Sequence, residues 1–278
     1  MITPADRLLF GTAGVPHSSP GTSSLSGIQH ISHLGLDCME VEFVKGVKMG
    51  SDTAKKIAES AQNLSIQLSV HAPYYVNLNS ADKGKWLSSQ ERILNSARLA
   101  AQCGAKDVVF HCGYYGDGSP EDAFQNIKMG LQEIVSILKS ERTPVNLRAE
   151  TMGKRSQFGS LEEILFLCRE VDGLLPCLDF AHIHARDGKA NSYLEFYRIL
   201  TKISKKLGKE SLSNLHIHIA GVEYSSKGEI KHLNLKESDF KYDEWIQALK
   251  DFDVKGMVIC ESPIQEQDAV MLKDLYYC

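Results

Sequence analysis

Histidine and acidic residues recur in this chain at the points where short apolar runs end. The residues at these positions are His71, His111, Glu150, Asp179 with His182 three residues on, and Glu261. Imidazole nitrogens and carboxylate oxygens are the ligands expected for Zn²⁺, Mn²⁺ or Fe²⁺ at an open catalytic site. The pattern therefore predicts a metal centre, provided that the fold brings the ends of these runs together.

Two further sources of ligands follow one another late in the chain. The run NLHIHIAG (214–221) carries His216 and His218, whose side chains share one face because strand side chains alternate with period two. The polar stretch SSKGEIKHLNL, which we interpret as a loop after this run, adds Glu229 and His232. These residues extend the candidate ligand set beyond what one ion can use.

The elements that must position these residues are apolar, strand-like runs that alternate with amphipathic segments. The strand candidates span 7–14, 39–44, 66–72, 107–113, 145–150, 174–180, 214–221 and 256–262. Helical periodicity marks the segments 51–65, 88–104, 120–140 and 192–208. Such alternation indicates parallel strands joined by right-handed crossovers, and eight units of this kind are typical of a (β/α)8 TIM barrel. We therefore expect one barrel domain over residues 1–278.

The alternative architecture is a doubly wound open sheet. It would place a glycine-rich GxGxxG turn between the first strand and its helix. The corresponding segment here, GTAGVPHSSPG, does not have that pattern. The barrel is favoured, and it requires the functional residues to lie at the C-terminal ends of the strands.

A barrel mouth would bring all of these imidazoles and carboxylates into one site. Several carboxylates so close together repel one another or are poorly solvated unless cations lie among them. If one of His216 and His218 binds, nine donors are available, which suits two or three ions. Clustered divalent ions favour phosphodiester hydrolysis because they generate hydroxide at neutral pH and stabilise the leaving oxygen. Sugar isomerisation usually needs fewer ligands and a base positioned on carbon.

Bulk properties restrict the class of protein only broadly. The composition, 43% hydrophobic and 24% charged, is that of a globular protein with a sizeable core. We expect no membrane segment and no secretory signal, because no apolar stretch is long enough. The seven cysteines form no CxxC pair, which favours reduced thiols in a cytoplasmic protein. A net charge of −4 gives no overall basic field for nucleic acid.

The segments HAPYYVNL, VVFHCG, RAET, CLDFAH, HIHIAG and ICESP resemble, in this order, the endonuclease IV family of the xylose-isomerase-like barrels. The resemblance runs from about residue 7 to 275. It implies a zinc-dependent, monomeric DNA-repair endonuclease with three zinc ions. Its substrate would be damaged double-stranded DNA, and a zinc-bound hydroxide would cut the phosphodiester 5′ to an abasic site.

The resemblance also implies roles for individual residues. His71 and His111 resemble ligands of the more exposed zinc, and Glu150 resembles the bridging carboxylate. The remaining ligands would be Asp179, His182, His218 and Glu261, with Glu150 or Glu261 positioning the hydroxide. We expect His218 rather than His216 to be the ligand because His218 lies nearer the end of the strand, with His216 supporting the site from below.

One segment departs from the family pattern. The bacterial type has Asp-x-His in the loop after the seventh strand, whereas this chain has GEIKH. Glu229 and His232 are the nearest substitutes, with one extra residue between them. The sequence therefore leaves open whether two zinc ions or three bind, and Mn²⁺ is an alternative to zinc.

Aromatic and basic residues follow several strand ends and are candidates for contacts with DNA. Tyr74 and Tyr75 follow His71, and Tyr114 follows His111, where exposed rings would stack on bases or open the duplex. The basic candidates for phosphate contacts are Lys45, Lys48, Lys154, Arg155 and Arg186. They would give the mouth a positive rim that the net charge conceals.

Two other classes of protein remain open on the sequence alone. A sugar isomerase or epimerase of the same superfamily would hold one divalent ion with Glu150, Asp179, a histidine of the seventh strand and Glu261. A barrel that binds DNA or metal without turnover is the second alternative. The number of metal ions per chain discriminates between the nuclease and the isomerase.

Overall fold

Eight parallel strands close into a barrel surrounded by helices in this computed structural model, which describes residues 6–44 and 46–278. The barrel strands are β1 Leu8–Ala13, β2 Cys38–Glu42, β3 Gln67–His71, β4 Asp107–Phe110, β5 Asn146–Glu150, β6 Leu174–Asp179, β7 Leu215–Ile219 and β10 Gly256–Cys260. Their order around the barrel is β1-β10-β7-β6-β5-β4-β3-β2. This confirms the predicted (β/α)8 TIM barrel.

Helices follow the barrel strands and cover the outside of the barrel. They are α1 Ser24–His33, α2 Ser51–Asn63, α3 Lys83–Gln102, α4 Pro120–Glu141, α5 Leu161–Glu170, α6 Phe180–Asp187, α7 Tyr193–Leu207, α8 Tyr242–Asp251 and α9 Gln265–Tyr277. Two begin with a capping box, in which Ser119 pairs with Asp122 in α4 and Ser160 pairs with Glu163 in α5. None of the helices in the described part of the chain is long and apolar enough to cross a membrane.

Two predicted segments are wrong in detail. The helix predicted at 88–104 begins five positions earlier, because Asp82 caps it by accepting hydrogen bonds from the backbone N–H groups of Gly84 and Lys85. The predicted polar loop after β7 is instead an antiparallel hairpin of β8 Gly221–Ser225 and β9 Gly228–Leu233. Both segments are rich in polar residues, so apolar periodicity did not reveal them.

The core has an apolar shell outside the barrel wall and a polar column within it. Trp245, Phe180 and Phe196 are fully buried between the helices and the barrel, with ring centroids 5.7 to 6.1 Å apart. Inside the barrel, alternate residues of neighbouring strands lie side by side, as Glu40 does with Ser69 and Asp179 with His218. Of the candidate ligands, four lie on barrel strands, namely His71, Glu150, Asp179 and His218, and His111 and Glu261 directly follow β4 and β10.

Candidate metal centre

The C-terminal ends of the barrel strands place the predicted ligands around one carboxylate, that of Glu150. Its Oε2 lies 3.2 Å from His71 Nε2 and 2.9 Å from His111 Nε2. Its Oε1 lies 3.3 Å from His218 Nδ1 and 3.5 Å from His182 Nδ1. The two oxygens of one buried carboxylate therefore face two separate groups of imidazoles, which is the arrangement of a bridging ligand.

The second group of imidazoles continues toward the hairpin. His182 Nε2 lies 3.3 Å from Glu229 Oε2, and His218 Nδ1 lies 3.1 Å from Glu261 Oε1. His232 Nε2 is 3.7 Å from Glu229 Oε1. Asp179 Oδ2 lies 3.2 Å from His182 Nδ1. All nine residues predicted as ligands thus lie in one site at the mouth of the barrel.

The hairpin presents Glu229 and His232 on the same face because β9 contains a bulge. Tyr224 pairs with Glu229 and Glu223 pairs with Lys231, which leaves Ile230 without a partner in β8. In a regular strand, residues three positions apart point to opposite faces, and one extra residue restores a common face. The bulge thus accommodates the extra residue of GEIKH and leaves Ile230 52% exposed.

A cluster of three side chains fastens the hairpin to the barrel helices. His184 of α6 lies with Nε2 3.2 Å from both carboxylate oxygens of Asp239, and the Tyr224 hydroxyl donates to Asp239 at 2.8 Å. The Tyr224 ring packs edge-on against His184, with centroids 4.8 Å apart. On the other side, Arg155 donates its backbone N–H to Lys227 of the hairpin turn. The position of Glu229 is therefore set by contacts outside the site.

Backbone carbonyls fix the ring orientation of three of the histidines. The Nδ1 atoms of His71, His182 and His232 lie 2.7, 2.9 and 3.2 Å from the carbonyl oxygens of Ala72, Thr151 and Glu261. A carbonyl oxygen accepts only from a protonated nitrogen, so in each neutral ring Nε2 carries the lone pair and faces the site. This is the ring arrangement that metal-binding histidines require.

The carboxylates and the imidazoles of the site shift one another's pKa values. Burial lowers the pKa of His71, but hydrogen bonding to Glu150 and the charge of Glu42 outweigh burial and raise that pKa to about 10. Burial lowers the pKa of His111, which contacts the same oxygen of Glu150. Burial also works against ionisation of Glu229, but the hydrogen bond from His182 lowers its pKa to about 2. In the absence of other cations, the carboxylates thus retain protons on some of the imidazoles.

The donor set fits divalent cations on the evidence of its own geometry. The predicted ligands form three groups, and within each group the donor atoms lie within 4.8 Å of one another. The first group is His71, His111 and Glu150, the second is Asp179, His182 and His232, and the third is Glu150, Asp179, His218 and Glu261. Two buried donor atoms, Asp179 Oδ2 and His232 Nε2, make no hydrogen bond with the described residues. Buried polar atoms without a partner are rare in folded proteins, and a bound cation would satisfy both.

The cavity above these donors has a volume of about 280 Å³. Tyr74, Tyr114, Met152, Lys154 and Gln157 complete its lining. A larger cavity of about 570 Å³ lies at the opposite, N-terminal end of the barrel, lined by residues such as Arg7 and Asn214. The smaller cavity is therefore the candidate reactive site, because it is the one lined by the predicted imidazole and carboxylate ligands.

Two of the three tyrosines predicted to contact DNA, Tyr74 and Tyr114, line the cavity, whereas Tyr75 packs against Arg92 of α3. The Tyr74 ring stacks on His111 with centroids 5.3 Å apart, and its hydroxyl donates to Glu42 at 3.2 Å. Tyr75 is 51% exposed beneath the guanidinium of Arg92, and Tyr114 is 44% exposed. Tyr74 therefore forms a wall of the cavity, Tyr114 exposes its ring, and Tyr75 has one face covered by Arg92.

The basic residues predicted to contact phosphate fall into two groups. Lys48 and Lys154 are exposed, and Lys154 lines the cavity. Arg186 instead donates to the carbonyls of Met152, Lys154 and Gln157 and to the Tyr115 hydroxyl. The other predicted members are Arg155, which donates to the Arg186 carbonyl, and Lys45, which lies outside the described residues. Lys154 is consequently the basic side chain best placed for a ligand.

Sequence analysis missed two carboxylates of β2. Glu40 is fully buried between His216 and His218, and Glu42 lies beside His71 in the strand register. Burial raises the pKa of Glu42 to about 8. The sequence MEVEFV could have revealed both residues, because two acidic residues two positions apart in a buried strand point to the same face.

A closed (β/α)8 barrel with such a site at the C-terminal ends of its strands has the architecture of an enzyme. The chain belongs to the family described as Xylose isomerase-like TIM barrel, which matches residues 28–275. An uncharacterized protein of Methanocaldococcus jannaschii is 46% identical over 270 residues, 97% of each chain. A probable endonuclease 4 of Aquifex aeolicus is 26% identical over 254 residues, 87% of each chain.

Solved structures share the fold with different chemistries. Endonuclease IV from Thermus thermophilus matches with a TM-score of 0.72 and 19% identity, over 96% of this chain and 97% of that one. A D-tagatose 3-epimerase-like protein matches with a TM-score of 0.73 and 21% identity, over 97% and 96%. At this level of identity both matches establish the fold alone, because one fold carries many activities and the residues of the site set the chemistry.

Proposed function

We propose that this chain is a metal-dependent phosphodiester hydrolase of the endonuclease IV type, which cuts duplex DNA on the 5′ side of an abasic site. The observation that carries the proposal is the position of Glu150, whose two oxygens face separate groups of imidazoles. A single ion would leave most of the nine donors without a role, whereas two or three zinc ions would use them. The relatives named probable endonuclease 4 support the same activity.

Bound divalent cations would supply a more acidic water and stabilise the charge of the phosphate. The two candidate catalytic carboxylates, Glu150 and Glu261, differ in their exposure to solvent. The side chain of Glu150 is 1% exposed, while that of Glu261 is 13% exposed and lines the cavity. We assign Glu150 to holding the imidazole groups together and Glu261 to orienting the attacking water and accepting its proton.

The rim of the cavity would hold the DNA. The exposed ammonium of Lys154 lies where it can bind a phosphate oxygen, and the exposed ring of Tyr114 can stack on a base. The face of Tyr75 that Arg92 does not cover is a further stacking surface beside the cavity. Tyr74 closes the side of the cavity above His71 and His111 and excludes water there. The cavity of about 280 Å³ would receive the sugar and phosphate of an abasic nucleotide that is turned out of the duplex, and such a nucleotide leaves the stack at a lower cost because it carries no base.

The second candidate function is epimerisation of a sugar. It is favoured by one observation, namely that donor atoms of Glu150, Asp179, His218 and Glu261 lie within 4.8 Å of one another and could hold one ion. In that case Glu229 and His232 would contact substrate rather than metal. Metal content distinguishes the two functions, because the nuclease requires two or three ions per chain and the epimerase requires one.

The deciding experiment combines one duplex assay with one sugar assay. A duplex with a single tetrahydrofuran abasic analogue should be cut on its 5′ side by the zinc-loaded protein, and a chelator should stop the reaction until zinc is restored. An undamaged duplex of the same sequence is the control. Epimerisation of a ketohexose without any cleavage of the abasic duplex would overturn the proposal.

A further inference from the structure

His218 is oriented differently from the three histidines whose Nδ1 atoms contact backbone carbonyls. Its Nδ1 faces the site, where Glu150 and Glu261 lie 3.3 and 3.1 Å away. Its Nε2 points inward and lies 2.9 Å from Glu40 Oε1. Both inward atoms are buried, and neither makes a well-aligned hydrogen bond with the described residues.

When a cation binds at Nδ1, in place of a proton shared with Glu150 and Glu261, the short distance between Nε2 and Glu40 Oε1 determines where the remaining proton of His218 lies. If Nε2 carried a lone pair, it would face a lone pair of the Glu40 carboxylate at 2.9 Å, which is repulsive in a buried site. A proton on Nε2 removes the repulsion and satisfies Glu40 Oε1. The lone pair of the neutral ring then lies on Nδ1, which faces the site.

We propose that Glu40 is a positioning residue that keeps His218 protonated on Nε2 and so presents Nδ1 as the metal-binding nitrogen. The proposal rests on the proposed function only in taking His218 as a ligand. A carboxylate behind a metal-binding histidine typically fixes the ring and raises the basicity of its free nitrogen. Glu40 would perform for His218 what the backbone carbonyls perform for His71, His182 and His232.

Glu40 is itself held by two hydrogen bonds, which suits such a role. Its Oε2 accepts hydrogen bonds from Ser69 Oγ at 2.7 Å and from His216 Nε2 at 3.0 Å. The other nitrogen of His216 lies 3.6 Å from Asp107, which accepts a hydrogen bond from Arg148 at 2.8 Å. The polar column inside the barrel therefore fixes the Glu40 carboxylate before any cation binds. It also explains why His216 lies below the site, since it contacts Glu40 and not Glu150.

The experiment measures zinc binding and ring protonation with zinc alone, without DNA. Two variants are needed, Glu40→Leu and Glu40→Gln. Leucine removes both acceptor oxygens. In the glutamine variant, Ser69 would keep the amide oxygen at the Oε2 position, so that the NH₂ group faces His218 Nε2. Zinc affinity, measured by competition with a chromophoric chelator, should fall about ten- to hundredfold in at least one variant.

Ring protonation is read from ¹⁵N-histidine NMR of the zinc-loaded protein, with His218 assigned by the signals missing in His218→Gln. The native protein should show His218 with a protonated Nε2 and zinc on Nδ1. Ser69→Ala is the graded comparison, because it removes one hydrogen bond to Glu40 but keeps both carboxylate oxygens, and its loss of zinc affinity should be clearly smaller than that of the Glu40 variants. Circular dichroism establishes that each variant is folded.

Three results would overturn the proposal. The first is zinc bound to Nε2 of His218 in the native protein. The second is a zinc affinity within about twofold of native in both folded Glu40 variants. The third is an equal loss of affinity in Ser69→Ala, which would indicate disturbed packing rather than positioning. Since no measurement involves DNA, absence of nuclease activity would not affect the interpretation.

Discussion

The Glu229 carboxylate lies 3.3 Å from His182 Nε2 because Ile230, the next residue in the chain, is bulged out of the hairpin. The bulge turns Glu229 and His232 to one face despite the odd spacing between them. Deleting Ile230 should give a regular strand with the same two side chains facing the site. We expect this deletion variant to bind as many zinc ions per chain as the native protein, as measured by mass spectrometry under non-denaturing conditions.

The control for this deletion is Glu229→Ala, which should bind fewer ions because it lacks a donor. If the deletion of Ile230 lowers the number of bound ions as much as Glu229→Ala does, the prediction is wrong, and the bulge has a role beyond placing Glu229 and His232 on the same face of the hairpin.

Zinc binding should release protons, and the apparent affinity should rise with pH. The pKa of His71 is raised to about 10 by Glu150 and Glu42 against the effect of burial, so this imidazole is protonated at pH 7 without metal. A cation must displace that proton, and it does so more readily as the pH approaches 10. Isothermal titration calorimetry in two buffers with different ionisation enthalpies gives the number of protons released. A value of zero at pH 7 would contradict the raised pKa of His71.

Replacing Glu261 by glutamine should remove cleavage while leaving the fold and most of the bound zinc in place. The amide cannot accept the proton of the attacking water, and loss of a general base typically lowers turnover by about 10² to 10⁴-fold. Turnover on the abasic duplex and zinc content are measured on the same sample. Normal turnover with normal zinc content would show that Glu261 is not the base.

Lys154 and Arg186 should differ in the effect of alanine replacement. Lys154→Ala should weaken binding of the duplex. It should also make the slope of log affinity against log salt concentration less steep by about the amount expected for one phosphate contact. Arg186→Ala should instead lower the melting temperature, because its guanidinium donates to Met152, Lys154, Gln157 and Tyr115. Binding isotherms at several salt concentrations and thermal melts compare the two variants. Equal salt slopes for Lys154→Ala and the native protein would exclude a phosphate contact.

Arg148→Met should be one of the most destabilising changes in the barrel interior. The buried guanidinium donates to Asp107 and Asn214 and to the carbonyl of Pro176. Removing one partner of a buried ion pair typically costs about 3–5 kcal/mol because the remaining charge is left unpaired. Urea unfolding at pH 7 gives the free energy. The exposed Lys139→Ala is the control and should leave the free energy of unfolding unchanged.

The same pair predicts how stability depends on pH. Burial opposes ionisation of Asp107, but Arg148 holds the pKa of this carboxyl well below its usual range. A carboxyl with a lowered pKa in the folded state stabilises the protein above its pKa in the unfolded chain, about 4, and this contribution is lost as the pH falls below that value. In Arg148→Met the loss of stability between pH 5 and about 2 should be smaller than in the native protein, as measured by urea unfolding across that range.

Sequence alone determined the barrel and most of the candidate ligands. The alternation of short apolar strands with amphipathic helices is a local pattern, and parallel strands joined by helices leave few ways to close. Once a barrel is assumed, residues at strand ends such as His71 and Glu261 must meet, whatever the details of packing. The spacing of His216 and His218 likewise placed both on the inward face and favoured His218 as the one nearer the mouth.

Only the tertiary structure decided how these side chains face one another. The hairpin and its bulge at Ile230 depend on pairing between two polar strands, which hydrophobic periodicity does not report. The contacts of Glu40 depend on two features of the barrel. The register of β2 against β3 places Ser69 beside it, and β7, on the other side of the barrel, brings His216 and His218 to the same carboxylate. Contacts between residues far apart in the chain are set by packing, and local sequence patterns do not predict them.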